Sequence, residues 1–103
     1  MTDPELLLLD EPVASLDLAA REQTIALISA YATEPAAPAI VMVTHHLEEI
    51  PAGFTHALVL SEGQVYSAGE IGQTLTSDKL SEAYGIGISV DFSEGRYRAR
   101  FRG

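Results

Sequence analysis

The chain contains no cysteine. That excludes a disulfide framework and any thiolate metal site, and it fits a reducing compartment. Long apolar runs are missing as well: none approaches the ~20 residues a helix needs to span a bilayer. Met1-Thr2-Asp3-Pro4-Glu5 is acidic and lacks the basic and apolar pattern of a secretion signal. The expected location is the cytosol or the cytosolic face of a membrane complex. Basic residues are scarce, with six Lys and Arg against fifteen Asp and Glu and a net charge of −9. Such a balance argues against non-specific nucleic-acid binding. The charge is also uneven. All fifteen acids fall in the first 94 positions, whereas four of the six basic residues are Arg96, Arg98, Arg100 and Arg102.

At 103 residues, 47% hydrophobic and 20% charged, the chain reads as one small globular domain rather than a disordered segment. Such a length buries roughly two thirds of its unfolded surface, enough for a modest core. No internal repeat or low-complexity tract interrupts it.

The most informative stretch is Leu6-Leu7-Leu8-Leu9-Asp10-Glu11-Pro12. Four apolar residues ending in two carboxylates predict a strand buried on both faces that delivers acids to a sheet edge. In an open α/β sheet that edge is where ligands bind. Pro12 to Leu16 is a predicted loop. Asp17 is placed as the N-cap of a helix over Leu18 to Thr33, with Thr24, Leu27, Ile28 and Tyr31 on the face expected to pack against the sheet. Glu34-Pro35-Ala36-Ala37-Pro38 breaks the helix. Ile40 to Thr44 is a second buried strand, ending in Thr44-His45-His46. The order predicts a right-handed βαβ unit with parallel strands. Two acids and a histidine at one sheet edge point to hydrolytic phosphate chemistry. A metal-dependent hydrolase using Asp10, Glu11, Asp17, His45 and His46 is compatible with the same residues.

Beyond His46, a short helical stretch is expected over Leu47 to Ile50. A hairpin over Ala57 to Leu60 and Val65 to Ser67, ended by Gly69, turns at Ser61-Glu62-Gly63-Gln64. Short helices over Ile71 to Leu75 and Asp78 to Tyr84 follow, with Ser77 capping the second. A last hairpin runs from Ile88 to Phe92 and from Arg96 to Arg102. Period-two alternation puts its four arginines on one face, either as a solvated edge guarded by charge or as a contact for an acidic partner or lipid headgroups.

These residues jointly resemble the nucleotide-binding subunit of ATP-binding cassette (ABC) transporters. Leu6 to Pro12 resembles the Walker B strand and its following glutamate, Ala14-Ser15-Leu16-Asp17 the D-loop, and Val43-Thr44-His45 the switch-histidine loop. Leu58 to Val65, ending at Gly69, is similar to the hairpin that follows in transporter subunits and sets the chain apart from non-transport ATPases with the same motifs. The 103 residues contain no glycine-rich Walker A loop ending in Lys-Ser/Thr, no Gln loop and no signature loop. The resemblance therefore implies an α/β, partial P-loop NTPase fold without the Walker A strand. Residues 1–84 would be the C-terminal part of the domain and residues 85–103 an appended hairpin. With the Walker A strand missing, Ile40 to Thr44 is expected to be unpaired on one side or joined to Ala57 to Leu60.

By the same resemblance, Asp10 would hold Mg²⁺ through water and Glu11 would polarise the attacking water, a role that burial beside a second carboxylate would favour by raising its pKa. His45 would contact the γ-phosphate as the switch residue. His46 stands where the family usually has Asp and is read as a surface residue. Asp17 would lie at a dimer interface and shape the opposite ATP site, besides capping its helix. ATP, Mg²⁺, a second nucleotide-binding subunit and a membrane-spanning subunit are implied, at the inner face of the cell membrane. Without the phosphate cradle the isolated chain is expected to be inactive. The alternatives are a non-catalytic module pairing with a full-length subunit, or a fragment of a non-transport ABC-type ATPase.

Overall fold

In the computed structural model the described residues are 6–102; the acidic N-terminal residues 1–5 and Gly103 lie outside them. The chain divides into two compact units, residues 1–53 and 54–103.

The first unit is a β–α–β arrangement. β1 (Leu6–Asp10) and β2 (Ala39–Val43) pair in parallel, in register from Leu6 opposite Ala39 to Asp10 opposite Val43. α1 (Leu18–Ala32) connects them. It starts where predicted: Asp17 is extended, and its Oδ1 accepts from the Ala20 amide at 2.9 Å, satisfying one of the free N–H groups of the first turn. It ends at Thr33, before Glu34-Pro35. Among the described residues β2 pairs with β1 alone, so its second edge is open, as expected without a Walker A strand.

Burial differs from expectation. Leu6, Leu8, Val41 and Val43 alternate onto one face of the β1–β2 sheet, and all four are exposed, Leu6 by 67%. The strands are thus covered on one face at most. An uninterrupted apolar run signals burial on both faces only where layers exist to cover both, and here the Leu6 face has none. The helix face is corrected too. Leu27 and Tyr31 are exposed, and the fully buried position is Ile25, with Ile28 and Ser29 half-buried on the same side. Among the described residues of this unit, Val13, Ile25 and Pro51 are the fully buried large side chains.

After β2 the short helical stretch expected over Leu47 to Ile50 is a single 3₁₀ turn, Leu47–Glu49, with Ile50 as its C-cap. The chain returns to α1, where the Ser29 hydroxyl donates to the Ala52 carbonyl at 2.6 Å.

The second unit opens with the antiparallel hairpin β3 (His56–Ser61) and β4 (Gln64–Glu70). Its turn is Glu62-Gly63, both with positive φ (52° and 76°), the pattern of a type I′ turn that suits strand twist. β4 continues past Gly69 to Glu70, so Gly69 does not end it. A register shift between Val59 and Leu60 leaves Tyr66 as the extra residue of a β-bulge. α2 (Ile71–Thr74) and α3 (Ser77–Tyr84) follow. Thr76, not Ser77, caps α3, its hydroxyl accepting from the Lys79 amide at 3.2 Å. Ser77 instead accepts from the Val90 amide at 2.8 Å, and Ser81 bonds both polar groups of Ile88. These bonds tie α3 to the last hairpin, β5 (Ile88–Ser93) and β6 (Arg96–Phe101), which turns at Glu94-Gly95. Arg96, Arg98 and Arg100 lie opposite Ser93, Asp91 and Ser89 on one face, and Arg100 meets Asp91 at 3.5 Å. Among the described residues of this unit, Val59, Thr74, Leu75 and Leu80 are buried.

Among the described residues no helix is long and apolar enough to cross a membrane.

Candidate active site

Parallel pairing fixes where the acids and the histidine meet. Because β1 and β2 run in the same direction and in register, their C-terminal ends emerge at the same edge, Asp10 beside Val43. The chain beyond β1 is held there by a further backbone bond from the Glu11 amide to the Val43 carbonyl, 2.8 Å.

Glu11 adopts a φ of +47°, the left-handed region that a side chain with a Cβ rarely enters. The position is doubly constrained, since a residue before proline is disfavoured in helical conformations. Left-handed non-glycine backbone costs of order 1 kcal/mol or more and persists where surrounding contacts impose it. Here the amide bond to Val43 holds it against the preference set by Pro12. The result turns Glu11 off the line of β1 toward the end of β2.

There it faces His45. Glu11 Oε2 lies 3.9 Å from His45 Nε2, beyond direct hydrogen-bond length and within ion-pair range when the imidazole is protonated. Both side chains are open to solvent, His45 by 76% and Glu11 by 41%. The burial expected for Glu11 is therefore not present, while access for a water or a phosphate is. Asp10 is exposed at the same strand end. Its hard oxygen donors suit a magnesium ion that keeps most of its water and takes one carboxylate together with phosphates. Asp17 sits at the head of α1, with one carboxylate oxygen committed to the cap. His46 is exposed and uses its amide, not its ring, to bond Thr44 Oγ1 at 3.1 Å. Among the described residues no three His, Asp or Glu side chains converge to hold a metal ion. The five-residue metal-hydrolase arrangement accordingly does not form.

Sequence reasoning missed Glu49. It is 5% exposed, and its Oε1 accepts from the Thr44 hydroxyl at 2.5 Å. The sequence sign was slight: an acid directly before the apolar pair Ile50-Pro51.

The β–α–β unit with acids and a histidine at one strand edge, followed by hairpins and short helices, is a partial P-loop NTPase fold of the ABC ATPase type. The fold overlays a solved structure of an inward-facing ABC transporter with a TM-score of 0.70, over 94% of this chain and 39% of that one, at 24% identity. In sequence, the chain is 46% identical over 96 residues to the ABC transporter ATP-binding protein YlmA of Bacillus subtilis, covering 93% of this chain and 36% of the relative. It is 41% identical over 88 residues to the hemin import ATP-binding protein HmuV of Roseobacter denitrificans, 85% of this chain and 33% of the relative. With the molybdenum import ATP-binding protein ModC of Shewanella sp. strain MR-4 it shares 39% identity over 80 residues, 78% of this chain and 22% of the relative. No family model matches. The chain is homologous to the ATP-binding proteins of ABC transporters, and a C-terminal part of their nucleotide-binding domain fits its motifs. It spans about a third of the length of the first of these relatives.

Proposed function

We propose that this chain supplies the Walker B, D-loop and switch-histidine part of an ATP-hydrolysing subunit that powers an ABC transporter. The observation that carries the reading is the approach of Glu11 and His45 across β1 and β2. In this reading Glu11 accepts the proton of the attacking water and His45 orients the γ-phosphate against it. Asp10 would hold Mg²⁺ through water, the ion supplying charge neutralisation at the phosphates. Asp17 would reach a second nucleotide-binding subunit while capping α1. The partners are that subunit and a membrane-spanning subunit, and the place is the cytoplasmic face of the membrane. Residues 1–84 form the domain part and residues 85–103 the appended hairpin.

The 103 residues contain no glycine-rich phosphate loop. Such a loop supplies the backbone N–H groups that bind the β- and γ-phosphates. The chain alone therefore neither binds ATP appreciably nor hydrolyses it. Calorimetry with Mg-ATP tests this, and micromolar binding contradicts it. The catalytic reading is tested by replacing the matching third of YlmA with this chain. The chimera is expected to hydrolyse ATP, and to lose that activity with Glu11→Gln. An active chimera indifferent to Glu11→Gln overturns the assignment.

The exposed Leu6, Leu8, Val41 and Val43 face favours a second reading, a non-catalytic module that pairs with a full-length subunit. Co-elution of the two chains, with and without ATP, tests it.

A further inference from the structure

We propose that Glu49 is a positioning residue for His45, acting through the Thr44 hydroxyl. The inference takes its functional meaning from the reading of His45 above, but its structural basis is separate.

Glu49 is a buried carboxylate, 5% exposed, in a unit whose fully buried large side chains among the described residues are Val13, Ile25 and Pro51. Burying a carboxylate is costly unless hydrogen bonds compensate it. The bond seen is a directed one. Thr44, the first residue after β2, donates its hydroxyl proton to Glu49 Oε1 at 2.5 Å. A hydroxyl has one proton and two lone pairs; the His46 carbonyl, at 3.3 Å, is the other acceptor within reach of that proton, and the shorter contact to the charged Glu49 oxygen takes it, leaving the hydroxyl's acceptor side for another donor. That acceptor side takes the His46 amide at 3.1 Å. The Glu49 amide in turn bonds the His46 carbonyl at 3.1 Å, closing the 3₁₀ turn.

His45 thus lies between two residues that Glu49 holds, Thr44 by its side chain and His46 by its main chain. The His45 ring, 76% exposed, has little packing to orient it. Its position opposite Glu11 therefore depends on the backbone beneath it. Glu49 is itself fixed from behind. Pro51 is fully buried, and Ala52 is tied to α1 by the Ser29 hydroxyl. The link runs from α1 to Ala52 by a hydrogen bond, back along the chain through Pro51 and Ile50 to Glu49, and from Glu49 to Thr44 beside the histidine.

The test is NMR on the full chain, with two readouts: exchange of the His46 amide, and the cross-relaxation peak between the His45 ring and the Glu11 side chain. Glu49→Ala and the nearly isosteric Thr44→Val are each expected to speed His46 exchange about fivefold or more and to abolish the peak. Glu49→Gln and Thr44→Ser, which keep an acceptor and a hydroxyl, are expected to retain both. Amides of α1 around Ile25 should be unchanged. The proposal is overturned if Thr44→Val leaves both readouts as in the parent, if the conservative variants lose them too, or if α1 amides accelerate equally. His45→Ala leaves the Thr44–Glu49 bond in place, so His46 protection persists in it. Loss of the clamp is thereby distinguished from failure of the catalytic reading, which the Glu11→Gln chimera reports.

Discussion

Glu11 and His45, far apart in sequence, stand 3.9 Å apart at the ends of two parallel strands. Glu11 reaches that position through a left-handed backbone conformation, and His45 through a loop held by Thr44 and Glu49. The pair is pre-placed in a solvent-open edge rather than buried.

If the two act as a unit in the chimera with YlmA, their effects are not additive. Glu11→Gln and His45→Ala should each lower kcat about 100-fold or more, and the double variant should be little worse than the poorer single one. Steady-state ATP turnover checks this; simple multiplication of the two losses would show that they act separately.

Asp17→Ala removes the acceptor of the Ala20 amide and should destabilise the chain by about 1 kcal/mol, whereas Asp17→Asn should cost only a few tenths of about that amount. Urea unfolding of the three proteins measures the difference. Equal loss in both variants would point to the charge rather than the cap.

The two faces of α1 give a sharper contrast. Ile25→Ala opens a cavity at a position 1% exposed and should cost about 2–5 kcal/mol. Leu27→Ala, on the exposed face, should change stability by no more than about 0.5 kcal/mol. The reverse order in thermal or urea unfolding would place the core on the other side of the helix.

Tyr66 donates its hydroxyl to Glu82, and this bond, followed by partial burial and the nearby negative charge, raises its pKa above the ordinary tyrosine value. The folded state therefore holds the phenolic proton more tightly than the unfolded one. Its contribution to stability is fully present below about pH 10, the unfolded tyrosine pKa, and is lost as pH rises through the higher folded value. Tyr66→Phe should remove that part of the alkaline loss, as read from unfolding curves between neutral and strongly alkaline pH. In the parent, Tyr66 should be the late component of tyrosinate absorbance.

The elements themselves were legible. Apolar runs ending at acids or at Thr44-His45 marked β1 and β2, and Asp17 marked the head of α1. The Glu62-Gly63 dipeptide between strand-like segments marked the first hairpin turn. These signals are local, set by backbone preference and capping chemistry, so sequence carries them directly. The buried face of α1 was not legible. Its alanine-rich surface offers two similar stripes that share Ile28, and only the path of the returning segment through Pro51 and Ala52 selects the one with Ile25 and Ser29. The cap of α3 was displaced for a similar reason. Thr76 and Ser77 are both good caps, and Ser77 is drawn to Val90 of the last hairpin.

Sequence by itself pointed to the candidate chemistry, because Asp10, Glu11, Asp17 and His45 sit in motifs whose order and spacing resemble those of ABC ATP-binding proteins. No glycine-rich phosphate loop lies within the 103 residues themselves. Only the tertiary structure decided how these residues meet: the register that brings both strand ends to one edge, the left-handed turn at Glu11, and the buried Glu49 behind the histidine. Each depends on pairing or burial between residues distant along the chain, and such contacts leave little trace in local sequence pattern.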